Sequence, residues 1–368
     1  MIDYRKRQER LLSGVDADAF LVFDLDRILP GGIDSVSLFY LTGYTGEGAL
    51  LCCGDKSVLL TDSRYLEQAQ RETPELSLRH AEADYLTEIA AAVQDLGIRR
   101  MAFASWRMSH FVVNKLEEVC DVELVETDDP IRWLRAVKDA HEIDCIHKAS
   151  RLSEEALTEL LDEIDVGMDE VDVAFRFGLL LREKGSERVS FDMIVAAGEN
   201  SSLPHYRPSL GKRALREGDL LLFDFGARVG GYGSDITRTV VLGAASEKQR
   251  DIYDWVRRAT EAGLEALGAG VPGKEVHQAA AEVIEGSPYK EYAFLSGVGH
   301  GVGLEGHELP RMSLESTDVL EPGMVVTMEP GIYIPGYGGV RIEDIAVIAE
   351  DGYDLLTSFP RDDLIEVG

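Results

Sequence analysis

The stretch LLFDFGARVGGYGSDITRT, residues 221–239, decides how the C-terminal part of this chain folds. Two strand-like runs flank a glycine-rich turn; Asp224 lies in the first run and Asp235 at the start of the second. Glycine-rich turns between such runs favour a β-hairpin, in which residues on the two strands become neighbours. The stretch therefore predicts an antiparallel pair of strands that places two carboxylates side by side.

Three later stretches carry further polar side chains in glycine-rich or strand-like surroundings. They are GVGHGVGLEGHELP at residues 297–310, TMEPGIY at 327–333 and GVRIEDI at 339–345, which contribute His300, Glu329 and Glu343. Four carboxylates and one imidazole form a suitable ligand set for two hard or borderline divalent cations. Two adjacent metal ions can hold a hydroxide and polarise a carbonyl, which is the chemistry of many aminopeptidases.

The segments SDITRT, GHGVGLEGHE, MEPGIY and RIED resemble, residue by residue, the ligand motifs of the pita-bread metallopeptidases. This family includes methionine aminopeptidase, Xaa-Pro aminopeptidase and Xaa-Pro dipeptidase (prolidase). The spacings of eleven, twenty-nine and fourteen residues between paired ligands agree with the proline-specific branch. The resemblance is strong over roughly residues 140–360 and extends more weakly to SLFYLTGYTGEGALL and LLTDSRYLEQA, which resemble the non-catalytic domain of that branch.

The resemblance implies two domains. A non-catalytic N-terminal α/β domain is expected at residues 1–130, and a catalytic α+β domain of pita-bread fold at residues 131–368. In the second domain, a curved antiparallel sheet flanked by helices is expected to hold the metal ions on its concave face. The i, i+3 spacing of Ile143, Ile146 and Ala149 predicts a long amphipathic helix at the start of this domain.

Local patterns predict strands and helices along the whole chain. Strands are predicted at Ala19–Phe23, Ser37–Leu41, Ala49–Cys53, Ser57–Thr61, Met101–Ala104, Val122–Val125, Phe191–Ala197, Asp219–Phe225, Asp235–Leu242, Met324–Glu329 and Arg341–Ala349. Besides the long helix, helices are predicted at residues 3–12, Arg64–Arg71, Tyr85–Leu96, His110–Val119, Glu170–Lys184, Glu247–Leu267 and Lys274–Ile284.

The resemblance also assigns the metal ligands. Asp224 is expected to chelate one metal ion, His300 and Glu329 the other, and Asp235 and Glu343 to bridge both. Bridging carboxylates offset the repulsion between two dications, and two metals lower the pKa of a shared water. The ligand set tolerates Mn²⁺, Co²⁺, Fe²⁺ and Zn²⁺. Two Mn²⁺ ions are expected, because manganese is the habitual metal of the proline-specific branch.

One of the ligands and four further residues are expected to act on the substrate or beside it. Glu329 is the candidate proton shuttle as well as a ligand, and the resemblance places His307 and His205 against the substrate. Arg341 is a candidate to orient either the substrate carboxylate or the ligand carboxylates, and Tyr333 is a candidate to hydrogen-bond near the metals. Arg311 is a weaker candidate, and Ser296 stands where some Xaa-Pro aminopeptidases carry a histidine.

The leading functional hypothesis is a Xaa-Pro aminopeptidase. It would hydrolyse the bond between an N-terminal residue and proline through attack of a metal-bridging hydroxide. The alternative is a Xaa-Pro dipeptidase, which differs by needing a cationic group for the free carboxylate of proline. A more remote alternative is a non-catalytic binding module with the same fold. The expected partners are peptides with proline at the second position, and a homodimer is expected from the family's usual form.

Composition excludes some partners. The formal net charge is −30, with 67 acidic residues, 10 lysines and 27 arginines. High-salt adaptation and an arginine-biased coding sequence both account for this balance. Nucleic acids and anionic membranes are disfavoured partners because they need a basic face. Since no membrane-length apolar run or signal peptide is recognisable, a cytoplasmic location is expected. The four cysteines have no CxxC spacing, which argues against a zinc knot or a disulfide framework.

Overall fold

The computed structural model of the chain describes residues 2–23, 35–82, 84–208, 213–294 and 296–368. The chain divides into two compact units, Met1–Arg135 and Ala136–Gly368. None of the helices in these described ranges is both long and apolar enough to cross a membrane.

The N-terminal unit is built on a six-stranded mixed sheet. In the order β4-β3-β2-β1-β5-β6, the pairs β1–β2 and β2–β3 are antiparallel and the other three are parallel. The strands are β1 Ala19–Val22, β2 Ala49–Cys52, β3 Val58–Thr61, β4 Ser77–His80, β5 Arg100–Ala104 and β6 Glu123–Thr127. The helices are α1 Tyr4–Ser13, α2 Val36–Thr42, α3 Leu66–Glu72, α4 Tyr85–Leu96, α5 His110–Val119 and α6 Pro130–Ala136.

One predicted strand of this unit is wrong. Residues Ser37–Leu41 lie within helix α2 instead of forming a strand. The side chain of Ser35 accepts a hydrogen bond from the Leu38 backbone and caps the helix N-terminus, and Gly43 ends it with a φ of 77°. A short apolar run does not distinguish a buried strand from a buried helix, so the caps decide its conformation.

Within its described residues, the C-terminal unit combines four small sheets with four α-helices. The sheets have the strand orders β20-β11-β8-β7, β12-β16-β17, β14-β13-β15-β18-β19 and β10-β9. All of their pairings are antiparallel except β11–β20. The strands are β7 Ile194–Ala197, β8 Leu220–Phe225, β9 Arg228–Val229, β10 Tyr232–Gly233, β11 Ile236–Leu242, β12 Ala293–Phe294, β13 Gly299–Gly301, β14 Glu308–Met312, β15 Val325–Met328, β16 Gly331–Ile334, β17 Gly338–Arg341, β18 Asp344–Ile348, β19 Tyr353–Leu355 and β20 Glu366–Val367.

The helices of this unit are amphipathic and pack their apolar faces inward. They are α7 Ala140–Glu163, α8 Glu170–Glu183, α9 Glu247–Glu265 and α10 Gly273–Glu285. Helix α7 begins with a capping box in which Asp139 and Glu142 each accept a hydrogen bond from the other's backbone N–H. Its buried positions recur at helical spacing, as Ile146, Ala149 and Leu157 illustrate. Burial of this face, rather than helix propensity alone, stabilises a helix of this kind.

A second difference from the predictions bears on the site. The single strand predicted at Arg341–Ala349 is two strands, since β17 ends at Arg341 and β18 begins at Asp344. Strand β17 pairs with β16, whereas β18 pairs with β15 in another sheet. The chain therefore changes sheets at residues 342–343, and this step brings Glu343 against Thr237 of β11.

A buried ion pair joins β11 to β18. Arg238 is 1 % exposed and its guanidinium lies 2.6 Å from the Asp344 carboxylate, which Arg361 also contacts at 3.0 Å. Burial alone would raise the pKa of Asp344, but the charges of Arg238 and Arg361 outweigh it and hold that pKa below its usual value. The stabilisation from Asp344 is therefore present above the pKa of the unfolded carboxyl and is lost as pH falls through the lower folded pKa.

We expect Asp344→Asn to lower the free energy of unfolding by about 3–5 kcal/mol, because it leaves Arg238 buried without its carboxylate. Urea unfolding of metal-free protein at neutral pH measures this loss. The matched control is Asp254→Asn, which removes a half-exposed partner of Arg257 and should cost less than about 1 kcal/mol. Equal losses in the two variants would contradict a special role for the buried pair.

Candidate metal centre and active site

The first two candidate ligands come from the hairpin of β8 and β11. Asp224 lies directly opposite Thr237 in the antiparallel register, and Asp235 immediately precedes β11. Because side chains alternate along a strand, Asp235 and Thr237 share a face, and so does the cross-strand partner Asp224. The predicted juxtaposition of the two aspartates is therefore present. The turn between them forms its own small hairpin of β9 and β10.

His300 brings its imidazole to the same place from strand β13. Its Nδ1 lies 3.0 Å from the Gly301 carbonyl oxygen, so Nδ1 carries the proton that it donates. Its Nε2 lies 3.1 Å from Glu329 Oε1 and 3.7 Å from Asp235 Oδ2. A histidine that donates one ring N–H to a carbonyl and turns the other nitrogen to carboxylates has the usual orientation of a metal ligand.

Glu343 completes the group after the change of sheets. Its Oε2 accepts a hydrogen bond of 2.7 Å from the Thr237 hydroxyl, and its backbone N–H donates to Thr237 O at 3.0 Å. Asp235, His300 and Glu343 each offer one ligand atom, and these atoms lie within 4.8 Å of one another. All three residues are buried, which keeps competing water away from them.

Arg341 lies behind the carboxylates instead of projecting into solvent. It is 4 % exposed; its Nη2 donates to Asp224 Oδ2, its Nη1 to the Tyr333 hydroxyl and its Nε to Thr237 Oγ1. Tyr333 is itself buried at 7 % exposure. Of the two sequence-based roles for Arg341, contact with a ligand carboxylate is the one these bonds match. Substrate contact by Arg341 and Tyr333 stays a prediction.

The electrostatics of the site show a shortage of positive charge. Burial, together with repulsion from neighbouring carboxylates, raises the pKa values of Asp235 and Glu343 well above their usual range. Burial would lower the pKa of His300, but the hydrogen bond and charge of Glu329 outweigh it and raise that pKa to about 9. Burial alone would raise the pKa of Glu329, but its hydrogen bond to His300 and the charge of His300 lower it. Buried carboxylates that repel one another in this way, even with His300 and Arg341 nearby, favour additional cations.

The donor set fits divalent metal ions. Asp224 Oδ1 and Glu343 Oε1 are buried and accept no hydrogen bond from any described residue, and buried polar atoms of this kind require a partner. The five candidate ligands, four carboxylates and one imidazole, suit cations such as Mn²⁺, Co²⁺, Fe²⁺ or Zn²⁺. The five predicted ligands thus lie around one centre, with unpartnered oxygens available to an ion.

A cavity of about 690 Å³ opens beside this centre. Asp224, Asp235, His300 and His307 lie on its polar side, and the His307 ring stacks on that of His300 with centroids 4.0 Å apart. Burial, and then the charge of His300, lower the pKa of His307 to about 4. The lining also includes side chains that the sequence analysis did not single out: Phe175, Phe191, Met193, Ile194 and Tyr206.

The other predicted residues differ in where they lie. His205 is exposed at the cavity wall, on a segment tied to Arg341 through the Pro204 carbonyl at 3.3 Å. Ser296 is exposed and is not part of the cavity lining. The five histidines outside the motifs are also absent from this lining: His80, His110, His141, His147 and His277. The roles of His205 and His307 in catalysis stay predictions.

A two-unit chain whose second unit gathers carboxylates and an imidazole beside a substrate-sized cavity defines a class, the metal-dependent hydrolases. Residues 144–350 match metallopeptidase family M24, and residues 5–137 match the creatinase/prolidase N-terminal domain. The chain therefore belongs to metallopeptidase family M24 and is a peptide-bond hydrolase. The predicted fold class, an α/β N-terminal domain followed by a pita-bread domain, is confirmed.

Relatives of known identity match over nearly the whole chain. The Xaa-Pro dipeptidase of Pyrococcus furiosus is 36% identical over 359 residues, which cover 97% of this chain and 99% of that protein. The structure of a Xaa-Pro dipeptidase from Bacillus anthracis superposes with a TM-score of 0.92 at 34% identity, covering 99% of this chain and 100% of that one. The structure of an X-Pro aminopeptidase from Thermotoga maritima superposes with a TM-score of 0.89 at 35% identity. The match covers 98% of this chain and 100% of that one.

Proposed function

We propose that this chain is a Xaa-Pro dipeptidase with a dinuclear metal centre, the alternative of the two proline-specific hypotheses. The observation that carries the choice is Arg311, a cation beside the metal ligands. A dipeptidase must bind the free carboxylate that proline carries in its substrate, whereas an aminopeptidase acts on chains that continue beyond proline. The dipeptidase names of the relatives from Pyrococcus furiosus and Bacillus anthracis support the same choice.

Arg311 projects from strand β14, where it lies directly opposite His300 of β13. Residues opposite each other in an antiparallel pair point to the same face, so Arg311 emerges on the side of the metal ligands. Its charge reaches the site, since it contributes to the low pKa of His307. Arg311 is exposed, and its guanidinium forms no ion pair within the part of the chain that the structure describes. It is therefore available to a ligand, unlike the buried Arg341.

The groups around the metal centre have different roles in the proposed reaction. Two divalent ions, expected to be Mn²⁺, lower the pKa of a water and polarise a carbonyl when bound. Glu329 Oε1 lies at hydrogen-bond distance from Nε2 of the ligand His300. A carboxylate at this position can accept the proton of the attacking water and pass it to the leaving amine. His307, uncharged at neutral pH because of its low pKa, offers one N–H to the scissile carbonyl.

The apolar side of the cavity supplies the recognition of proline. The bond before proline is a tertiary amide without an N–H, so a site that grips the extended backbone loses a donor. Phe191, Met193 and Ile194 offer the ring an apolar surface instead. A volume of about 690 Å³ also has room for a longer peptide, and this favours the aminopeptidase as the second candidate. The Thermotoga maritima relative carries that name.

Substrate length separates the two candidates. The metal-loaded protein is assayed with a Xaa-Pro dipeptide, its C-terminal amide and a Xaa-Pro-Yaa tripeptide of the same first residue. We expect kcat/KM to be highest for the free dipeptide and to fall with both the amide and the tripeptide. A tripeptide cleaved between Xaa and Pro as fast as the dipeptide would move the assignment to the aminopeptidase. Equal rates on Xaa-Ala and Xaa-Pro would contradict proline specificity altogether.

Arg311→Gln should reduce kcat/KM for the free dipeptide by about 10- to 100-fold. A charge-assisted hydrogen bond is worth about 1.5–3 kcal/mol, and each 1.4 kcal/mol is tenfold. The loss should appear mainly in KM, because the carboxylate is bound equally in the ground state and the transition state. The dipeptide amide is the internal control, since it has no carboxylate and should be hydrolysed alike by both proteins. An equal loss on acid and amide would show that Arg311 does not bind the carboxylate.

A further inference from the structure

We propose that Thr237 is a positioning residue of the metal centre, a hydrogen-bond relay that sets which oxygen of Glu343 faces the metal ions. The proposal deepens the proposed function and rests on its metal centre. Thr237 lies within the SDITRT segment, but the sequence analysis attached no role to it. It is fully buried on β11, and its side chain contacts both Glu343 and Arg341.

The side chain of Thr237 forms two hydrogen bonds. Its Oγ1 lies 2.7 Å from Glu343 Oε2 and 3.0 Å from Arg341 Nε. Thr237 is also anchored through its backbone, because its carbonyl accepts the Glu343 N–H at 3.0 Å. The hydroxyl is thus held between the guanidinium and the carboxylate at fixed distances from each.

The direction of these bonds follows from the chemistry of the groups. A guanidinium only donates hydrogen bonds, so Arg341 Nε–H must be the donor to the Thr237 oxygen. The single hydroxyl proton of Thr237 is then directed to Glu343 Oε2. With Glu343 ionised, as a metal ligand must be, no other arrangement satisfies both contacts. The hydrogen bond from Thr237 therefore engages Oε2 of Glu343 and leaves that oxygen turned towards the protein.

The other oxygen of the same carboxylate is left for a ligand. Glu343 Oε1 is buried and has no hydrogen-bond partner among the described residues. Asp224 shows the same division, since Arg341 Nη2 holds Oδ2 while Oδ1 has no partner. One guanidinium thus orients two ligand carboxylates, Asp224 directly and Glu343 through Thr237. Removing the relay frees the Glu343 carboxylate to rotate away from the metal ions.

Thr239 provides a matched control two residues along the same strand. It is equally buried at 1 % exposure and also hydrogen-bonds to Arg341. Its bonds, however, are to the backbone: its Oγ1 donates to Arg341 O at 3.0 Å and accepts from Arg341 N at 3.2 Å. Thr239→Val therefore removes a buried hydroxyl from the same strand without breaking the contact to Glu343.

The test is titration of metal-free protein with Mn²⁺ in a calorimeter, for wild type, Thr237→Val, Thr237→Ser and Thr239→Val. Thermal unfolding of the metal-free proteins reports on folding. We expect Thr237→Val to bind at least one Mn²⁺ equivalent about 10- to 100-fold more weakly than wild type, as when the partners of metal ligands are removed. Thr237→Ser keeps the hydroxyl and should lose less than about tenfold. Thr239→Val should melt earlier but bind Mn²⁺ as wild type does.

Three results would overturn the relay. They are unchanged Mn²⁺ affinity in folded Thr237→Val, a loss in Thr239→Val as large as that in Thr237→Val, and a loss in Thr237→Ser greater than about tenfold. The serine variant decides the question even where the valine variant does not fold. Failure of the dinuclear centre on which the relay rests is distinct from these outcomes, because wild-type protein would then bind no pair of Mn²⁺ ions.

Discussion

Asp235→Asn should reduce kcat by on the order of 10³-fold or more. The substitution keeps the shape of the side chain but removes the charge of an expected bridging ligand, and each 1.36 kcal/mol of lost transition-state stabilisation is tenfold in rate. Asp235 Oδ2 lies 3.7 Å from His300 Nε2, so the lost ligand lies at the centre of the site. Metal content should fall below that of wild type when both are measured by elemental analysis after dialysis.

The matched control for this variant is Asp192→Asn. Asp192 lines the same cavity but is exposed and is not part of the group of ligand atoms. It should retain most of the activity and all of the metal. Thorough chelation of wild type should likewise abolish turnover, and Mn²⁺ should restore it. Full activity after chelation, or in Asp235→Asn, would contradict the metal-dependent mechanism.

Metal binding should also release protons. Burial raises the pKa of Asp235 in the metal-free protein, and repulsion from Glu343 raises it further. His300 likewise holds a proton at neutral pH, since its pKa is about 9. A metal ion needs these groups deprotonated. Titration with Mn²⁺ in buffers of different ionisation enthalpy counts the released protons, and a count of zero would contradict the raised pKa values.

His307→Ala should lower kcat by on the order of 10²-fold or more, with little change in metal content. Burial, reinforced by the charge of His300, lowers the pKa of His307 to about 4, so the ring is neutral at pH 7 and is expected to act as a hydrogen-bond donor. Loss of one such donor to the charge that develops in the transition state has an effect of this size. Steady-state kinetics at saturating metal measure the effect.

The same variant separates two roles of His307. Its ring stacks on His300 at 4.0 Å, so its removal can also loosen a metal ligand. Wild-type metal content with low kcat supports direct action on the substrate, whereas lost metal assigns the effect to packing on His300. An exposed histidine of helix α7 serves as control, because His147→Ala removes an imidazole that does not line the cavity. Wild-type kcat in His307→Ala would show that it is only a loop residue.

Several features followed from sequence because their physical cause is local. A glycine-rich turn between strand-like runs is enough to predict the hairpin that brings Asp224 beside Asp235, and the structure contains that hairpin. Helix α4 and helix α5 begin and end at the predicted residues, since side-chain caps at Asp84 and Ser109 lie next to the apolar pattern. The residue types of the five candidate ligands already specify divalent metal chemistry.

Other features could not be read from an apolar pattern or a motif position alone. The run Ser37–Leu41 is apolar enough for either a strand or a helix, and its caps selected the helix. The sequence position of Arg341 allows contact with either the substrate or the ligand carboxylates, and the fold directs its guanidinium to Asp224, Tyr333 and Thr237. Arg311 is only a weaker candidate from its sequence position, and the register of β13 and β14, which places it opposite His300, strengthens that role.

The sequence by itself determined the family, the two-part fold and the chemistry of the ligands, because motif spacing and residue type are properties of the chain. Tertiary structure alone decided which oxygen of each carboxylate is held by the protein and which is left for a metal ion. Hydrogen bonds such as that from Thr237 to Glu343 join residues 106 positions apart. The change of sheets after Arg341 creates them, and no local pattern predicts that change.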